Sequence, residues 1–252
     1  MWKIATYAGI WISAMGMEAS VKGLLMATQK AVKVPALAPR LMVAVNLIGS
    51  LYGPAYILAN FMPQDCQPWS LVFKINMHLF FLCFDSFLVF KTWAVAQKRP
   101  TVAVLGGVLL AHRAIWGILD CIKSFGFMDM ETGFCLYSQN QLSAFGFLLG
   151  DLLTDMFCTA LTVWSAFRDA EASSTRIQKL YGILIADNVI RTVMILSVNL
   201  LIAYYAAYGA LTTSKTGADV LLILPALSYY VYTLALNAEF VWMSMRNAVM
   251  ND

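Results

Sequence analysis

Long apolar blocks alternate with short polar connections along the whole chain. A helix needs about 20 residues to cross the hydrocarbon of a bilayer. Seven blocks reach or approach that length: 4–26, 41–61, 69–93, 101–121, 142–167, 180–208 and 218–245. The pattern predicts an all-α membrane protein, a single seven-transmembrane helix bundle occupying 1–252. The first block is the weakest, because its purely apolar part ends near Met17. Glu18 and Lys22 follow, one helical turn apart and able to pair. Without that block, six spans remain and the N-terminus changes side. Pro54 and Pro225 predict kinks in the second and seventh spans. Pro63-Gln64 falls between spans and reads as a turn.

The third block, CQPWSLVFKINMHLFFLCFDSFLVFKTWAVA, is apolar except for a stripe. Lys74, His78 and Asp85 lie within about 40° of one another on a helix. Such a stripe needs a polar interior to face, and the other blocks carry matching groups. Arg113 and Asp120 fall in the fourth, Asp151 and Asp155 in the fifth, Asp187 and Arg191 in the sixth, and Asn237 and Glu239 in the seventh. Ionisable groups at membrane depth face the bundle interior and pair there. Asp187 and Arg191 are placed to pair along their own helix, and Arg191 also has Glu239 or Asn237 within prospect on the next one. We read Asp85, Arg113, Asp151, Asp155, Asp187, Arg191, Asn237 and Glu239 as an intramembrane polar network. Its roles range from helix–helix glue through a switch to an ion or proton path. Lys74 and His78, with Tyr229 and Tyr232 on the seventh span, are candidate ligand-binding residues lining an outer cavity suited to an anionic or amphipathic molecule.

Charge placement gives an orientation. With the N-terminus outside, Lys22, Lys30, Lys33, Arg40, Lys91, Lys98, Arg99, Arg168, Arg176, Lys179 and Arg246 fall at inner loops, span ends or the tail, against Lys3, Lys123 and Lys215 outside. The positive-inside rule therefore predicts N-terminus outside and C-terminus inside. Composition agrees with a membrane class: 60% of the 252 residues are hydrophobic and 12% charged, where a soluble domain has about 25% charged. The net charge of +3, with no basic-aromatic run, argues against nucleic-acid binding. No cleavable signal peptide is legible, so the first helix serves as its own insertion signal.

Of five cysteines, Cys66 caps the outer end of the third span and Cys135 lies in the following outer loop. The oxidising side favours a Cys66–Cys135 disulfide, with Cys121 as a rival partner. His78 and His112 are the only histidines and sit on different spans, too few for a zinc site of three protein ligands. The seventh span has no Lys for a retinal Schiff base. No phosphate-cradling glycine loop and no nucleophile triad can be read. We expect no metal, no cofactor and no enzymatic activity. No repeat at helix-triplet spacing appears, which weakens a repeat-built transporter.

The whole pattern resembles seven-transmembrane receptor-like proteins. The carrying features are the N-out topology, Cys66 atop the third span, Cys135 in the next outer loop and the basic inner end of the third span. The segments IADNVIRTVMILSVN and LNAEFVWMSMR look like those of uncharacterised fungal seven-span proteins. The chain departs from the large rhodopsin-like family where it reads FLVFKTWAV in place of an acidic-Arg-aromatic triplet, and LNAEF in place of Asn-Pro-x-x-Tyr. The resemblance implies an orphan receptor that senses an unknown small-molecule ligand from the outer side and passes the signal to an inner-side signalling partner. The plasma membrane is the expected site. Ser173, Ser174 and Thr175 offer phosphorylation positions in the last inner loop. The alternative is a small transporter or ion/proton channel using the acidic groups, and a structural protein without ligand is a third reading.

Overall fold

A computed structural model of the chain describes residues 2–34, 36–61, 65–128, 135–171, 175–207 and 215–251. Pro63, Gln64, Ser173 and Ser174 lie outside these residues. The described residues form seven helices: α1 (Trp2–Lys33), α2 (Leu37–Phe61), α3 (Cys66–Val95), α4 (Pro100–Lys123), α5 (Gln141–Glu171), α6 (Thr175–Ala207) and α7 (Lys215–Asn251). Each expected span is a helix, and most run a turn or more beyond the apolar block. The flanking Lys, Arg, Glu and Gln are good helix formers that extend the helix past the apolar run. Between α4 and α5 the expected loop is a hairpin of β1 (Phe125–Met128) and β2 (Cys135–Ser138), antiparallel with Met128 opposite Cys135.

Five helices are long and apolar enough to cross a membrane: Leu37–Asn60, Cys66–Val95, Pro100–Lys123, Gln141–Arg168 and Gln178–Tyr204, with mean hydropathy of 1.5 to 1.8. Among the described residues α1 is not one of them. Glu18 and Lys22 lower its apolar content on the exposed face, and its inward face is built of small residues. Ser13, Gly16, Ser20, Gly23 and Ala27 recur at three- and four-residue spacing and are buried, so small residues replace the apolar bulk. They let α1 press closely against α2 and α7. A Cβ on Gly16 would sit 2.3 Å from the Tyr229 ring, and one on Gly23 2.2 Å from the Asn237 amide. The outward face of α1 keeps the bulky groups, with Tyr7, Trp11 and Leu25 exposed.

The helices pack in chain order as a closed ring, α7 returning to α1. α3 is a deeply enclosed member of the ring and touches α2, α4, α5 and the hairpin. Burial separates the extremes: 61% of the α3 span is buried against 22% for α4. The α4 surface that is left, with Val104, Leu105, Val108, Ile115, Ile118 and Ile122 exposed, suits lipid rather than water. Gln97 and Lys98 adopt left-handed backbone (φ 57° and 59°). They reverse the chain after α3, and Pro100 occupies the first turn of α4.

The core is aromatic. Tyr52 stacks on Tyr229 at 4.2 Å, Phe80 meets Tyr229 edge-on at 5.2 Å, and Phe81 and Phe84 meet Tyr232 at 4.7 and 4.9 Å. The Tyr52 hydroxyl donates to the carbonyl of Pro225 at 2.9 Å, tying α2 to the proline turn of α7.

Candidate functional site

The polar groups of the interior gather in three clusters that follow α3. The first lies at the hairpin end. Cys66 and Cys135 form a disulfide with a Cα–Cα distance of 5.5 Å, which anchors β2 on the first residue of α3. The expected pairing holds, and Cys121 is a free thiol. Beneath it Asp120, in the last turn of α4, is fully buried and accepts four hydrogen bonds. Ser124 and Ser143 donate to Oδ1 at 2.7 Å each, and Tyr137 and His78 to Oδ2 at 2.8 and 3.0 Å. Burial and the adjoining Asp120 carboxylate push the Tyr137 phenol well up, so it remains a donor at every physiological pH. The His78 tautomer is set by its neighbours. Nε2–H donates to Asp120, and Nδ1 accepts from Arg113 Nη1 at 3.1 Å.

Arg113 continues the chain of contacts. Its Nε donates to Asp151 Oδ1, and its guanidinium lies 5.0 Å from the Phe147 ring centroid. The Asp85 carboxyl neighbours that of Asp151. Asp85 Oδ2 and Arg113 Nη2 have no hydrogen-bond partner.

The second cluster sits between α5 and α6. Arg191 faces Asp155 at 3.4 Å and donates to Asn188 Oδ1 at 2.9 Å and Thr159 Oγ1 at 3.0 Å. The third lies at the opposite end of α3. Lys91 donates to both Asp187 of α6 and Glu239 of α7, and Arg246 donates to the other oxygen of Glu239.

The expected Asp187–Arg191 pair is therefore not formed. Two positions four apart still differ by about 40° around a helix, enough for Arg191 to turn to α5 while Asp187 turns to α3. Arg191 does not reach Glu239, and Asn237 donates to the Ala19 carbonyl at 2.8 Å, joining α7 to α1 outside all three clusters. Lys91 and Arg246, which counted only toward orientation, are network members. A signal for them lay in the count: once Arg191 turns to Asp155, Asp187 and Glu239 need other cations, and Lys91 and Arg246 stand at the same end of their helices.

A cavity lies among α3, α5, α6, α7 and the hairpin side, and its space counted together with the open solvent at its mouth is about 690 Å³. The first cluster borders it through Asp151. From α3 it takes Phe73, Met77 and Phe81, from the hairpin side Tyr137 and Gln139, from α6 Asn199 and from α7 Ser228. Phe73 to Phe81 is eight residues, so the depth is about 12 Å at the helical rise. Asp151, Asn199 and Ser228 lie at its deep end.

None of the four candidate ligand residues lines this cavity. The Lys74 ammonium is used up at the end of α4, donating to the Ser124 carbonyl and, at 3.3 Å, to that of Cys121. There it caps a helix C-terminus. His78 is enclosed between Asp120 and Arg113. Tyr229 donates to the Gly49 carbonyl at 2.7 Å, and the Tyr232 hydroxyl accepts from Asn199 at 2.9 Å. Both tyrosines are core residues, and Tyr232 reaches the cavity only through Asn199.

Among the described residues no group of three His, Cys, Asp or Glu side chains is placed to hold a metal ion. No protein-family model matches this sequence, and no curated protein is significantly similar to it. What fold and site define is a seven-helix protein with five membrane-length apolar helices and a buried polar interior, a multi-pass membrane bundle.

Proposed function

We propose that the chain is a receptor-like seven-span protein whose cavity takes a small molecule and whose Lys91 cluster reads the result. One observation carries this. The cavity is lined by α3, α6 and α7 at one end, and the same three helices are tied together by Lys91, Asp187 and Glu239 at the other. A molecule that repositions α3 against α6 and α7 acts on that tie, because packed helices shift as units. In this reading the hairpin and the disulfide face outside and the Lys91 end faces inside, which the basic connections favour. An inner-side partner then meets the exposed Lys98 and Arg99 beside the α3–α4 turn. α1 and α7 cross with the other five, and the plasma membrane fits a disulfide-capped outer face. The role is binding and transmission rather than catalysis.

The test uses the protein in lipid nanodiscs. A screen of lipophilic small molecules by thermal shift should give ligands whose effect is lost in Ser228→Trp, which fills the deep end of the cavity. Spin labels near the Lys91 ends of α3 and α6 should then change separation when such a ligand binds. Ligands that stabilise without moving the labels would remove the receptor reading.

The alternative is transport. Asp120, Asp151, Asp85, Asp155 and Asp187 descend through the bundle in sequence, an arrangement that also suits a proton path. Proton flux into proteoliposomes that depends on Asp155 would favour it.

A further inference from the structure

The cavity has an electrostatic bias that the bonding pattern exposes. The interior above the Lys91 cluster holds four buried carboxylates: Asp85, Asp120, Asp151 and Asp155. Three cations oppose them. Lys74 closes the end of α4 beside Asp120, Arg113 holds Asp151, and Arg191 holds Asp155. His78 is not a fourth cation, since its Nδ1 accepts a hydrogen bond from Arg113. The carboxyls outnumber the cations by one, and the one fully buried oxygen among them without a hydrogen-bond partner belongs to Asp85. Asp85 is 1% exposed and its Oδ2 has no hydrogen-bond partner, while its neighbour Asp151 borders the cavity.

Two neighbouring carboxyls within a low-dielectric interior need a proton or a cation between them. Arg113 makes no hydrogen bond to Asp85, although its Nη2 is without a partner. Its Nε is on Asp151 and its Nη1 on His78, and it is not among the residues that line the cavity. The cavity side of Asp151 is open to an incoming group. The approach is walled by Phe73, Phe81 and Phe147, whose ring faces attract a cation.

We propose that the cavity binds an amphipathic amine, with its ammonium set on the Asp151–Asp85 pair and its apolar chain directed toward the hairpin. This rests on the reading of the cavity as a ligand site and gives that ligand its chemistry. It reverses the expectation of an anionic ligand. That expectation followed from Lys74, whose ammonium the structure commits to the carbonyls of α4.

Three probes of one chain length separate the possibilities: octylamine, octan-1-ol and octanoate. Binding is measured by titration calorimetry on wild-type protein in zwitterionic nanodiscs, with uptake by empty nanodiscs subtracted. Octylamine should bind at least tenfold tighter than octan-1-ol, and octanoate weakest. Asp85→Asn, which removes the extra carboxyl and keeps the shape, should bring the amine-to-alcohol ratio near one. Equal binding of amine and alcohol by the wild type, or a preference for octanoate, overturns the ammonium assignment and leaves the cavity as a ligand site. Binding of none of the three overturns both. A wild-type amine preference that persists undiminished in Asp85→Asn also sinks the assignment, since the excess charge would not be its source.

Discussion

The two ends of α3 hold charge in different ways. At the hairpin end, His78, Asp120, Arg113, Asp151 and Asp85 are all within the buried interior. With Lys74 beside Asp120, that end holds three carboxyls against two cations. At the other end Lys91, Asp187, Glu239 and Arg246 balance, two cations against two carboxylates, and the Lys91 and Arg246 side chains are 12% and 24% exposed. A buried ion pair is expensive to break from one side, because the abandoned partner keeps its desolvation cost. A balanced cluster near water lets its members rehydrate one at a time. The first arrangement holds a geometry, and the second is able to open. That asymmetry is what a device for carrying a signal from one end to the other requires.

Breaking the hairpin end should have the largest effect. Arg113→Met strands Asp151 beside Asp85, and we expect a loss of about 3–5 kcal/mol, read as a lowered unfolding midpoint in nanodiscs. Asp151→Leu on the same background should restore much of it, because the pair then leaves together. No recovery in the double variant would mean that the two residues do not act as a pair. The covalent tie comes next. Cys135→Ser should cost about 2–4 kcal/mol, and reductant should lower the midpoint of the wild type but not of the variant. In the intact protein, thiol labelling before reduction should count three cysteines: Cys83, Cys121 and Cys158.

The opposite end should give less. Lys91→Met leaves Asp187 without its cation while Glu239 keeps Arg246, and we expect about 2 kcal/mol, with a loss that shrinks as salt rises. A loss as large as that of Arg113→Met would erase the distinction between the two ends. Smallest of all is Lys22→Ala. Its pairing with Glu18 at 2.6 Å is exposed on both sides, and no shift of the midpoint should be measurable.

The helices were legible because hydrophobic length is a one-dimensional property, and each block appears as a helix. The disulfide was legible through its compartment logic. The partners within the network were less so. Depth along a helix follows from counting, but which neighbour a side chain faces depends on the rotation and tilt of both helices. Asp187 and Arg191 show this, adjacent in depth yet turned to α3 and α5. Lys74 shows a related gap, since only the fold brings the end of α4 to its ammonium. The small-residue face of α1 was written in the sequence at Ser13, Gly16, Ser20, Gly23 and Ala27, but a search for apolar content passes over it.

That face has a consequence for how the molecule is made. Synthesis delivers α1 well before α7, yet each is a neighbour of the other in the ring. Until α7 emerges, Gly16 and Gly23 have no Tyr229 and no Asn237 to pack on. The first helix must wait in the insertion machinery or in lipid with half of its small-residue face uncovered. A ribosome that stalls before Tyr229 leaves an open ring. The seam that closes the bundle therefore joins side chains that lie 213 residues apart, as Ser20 and Thr233 do.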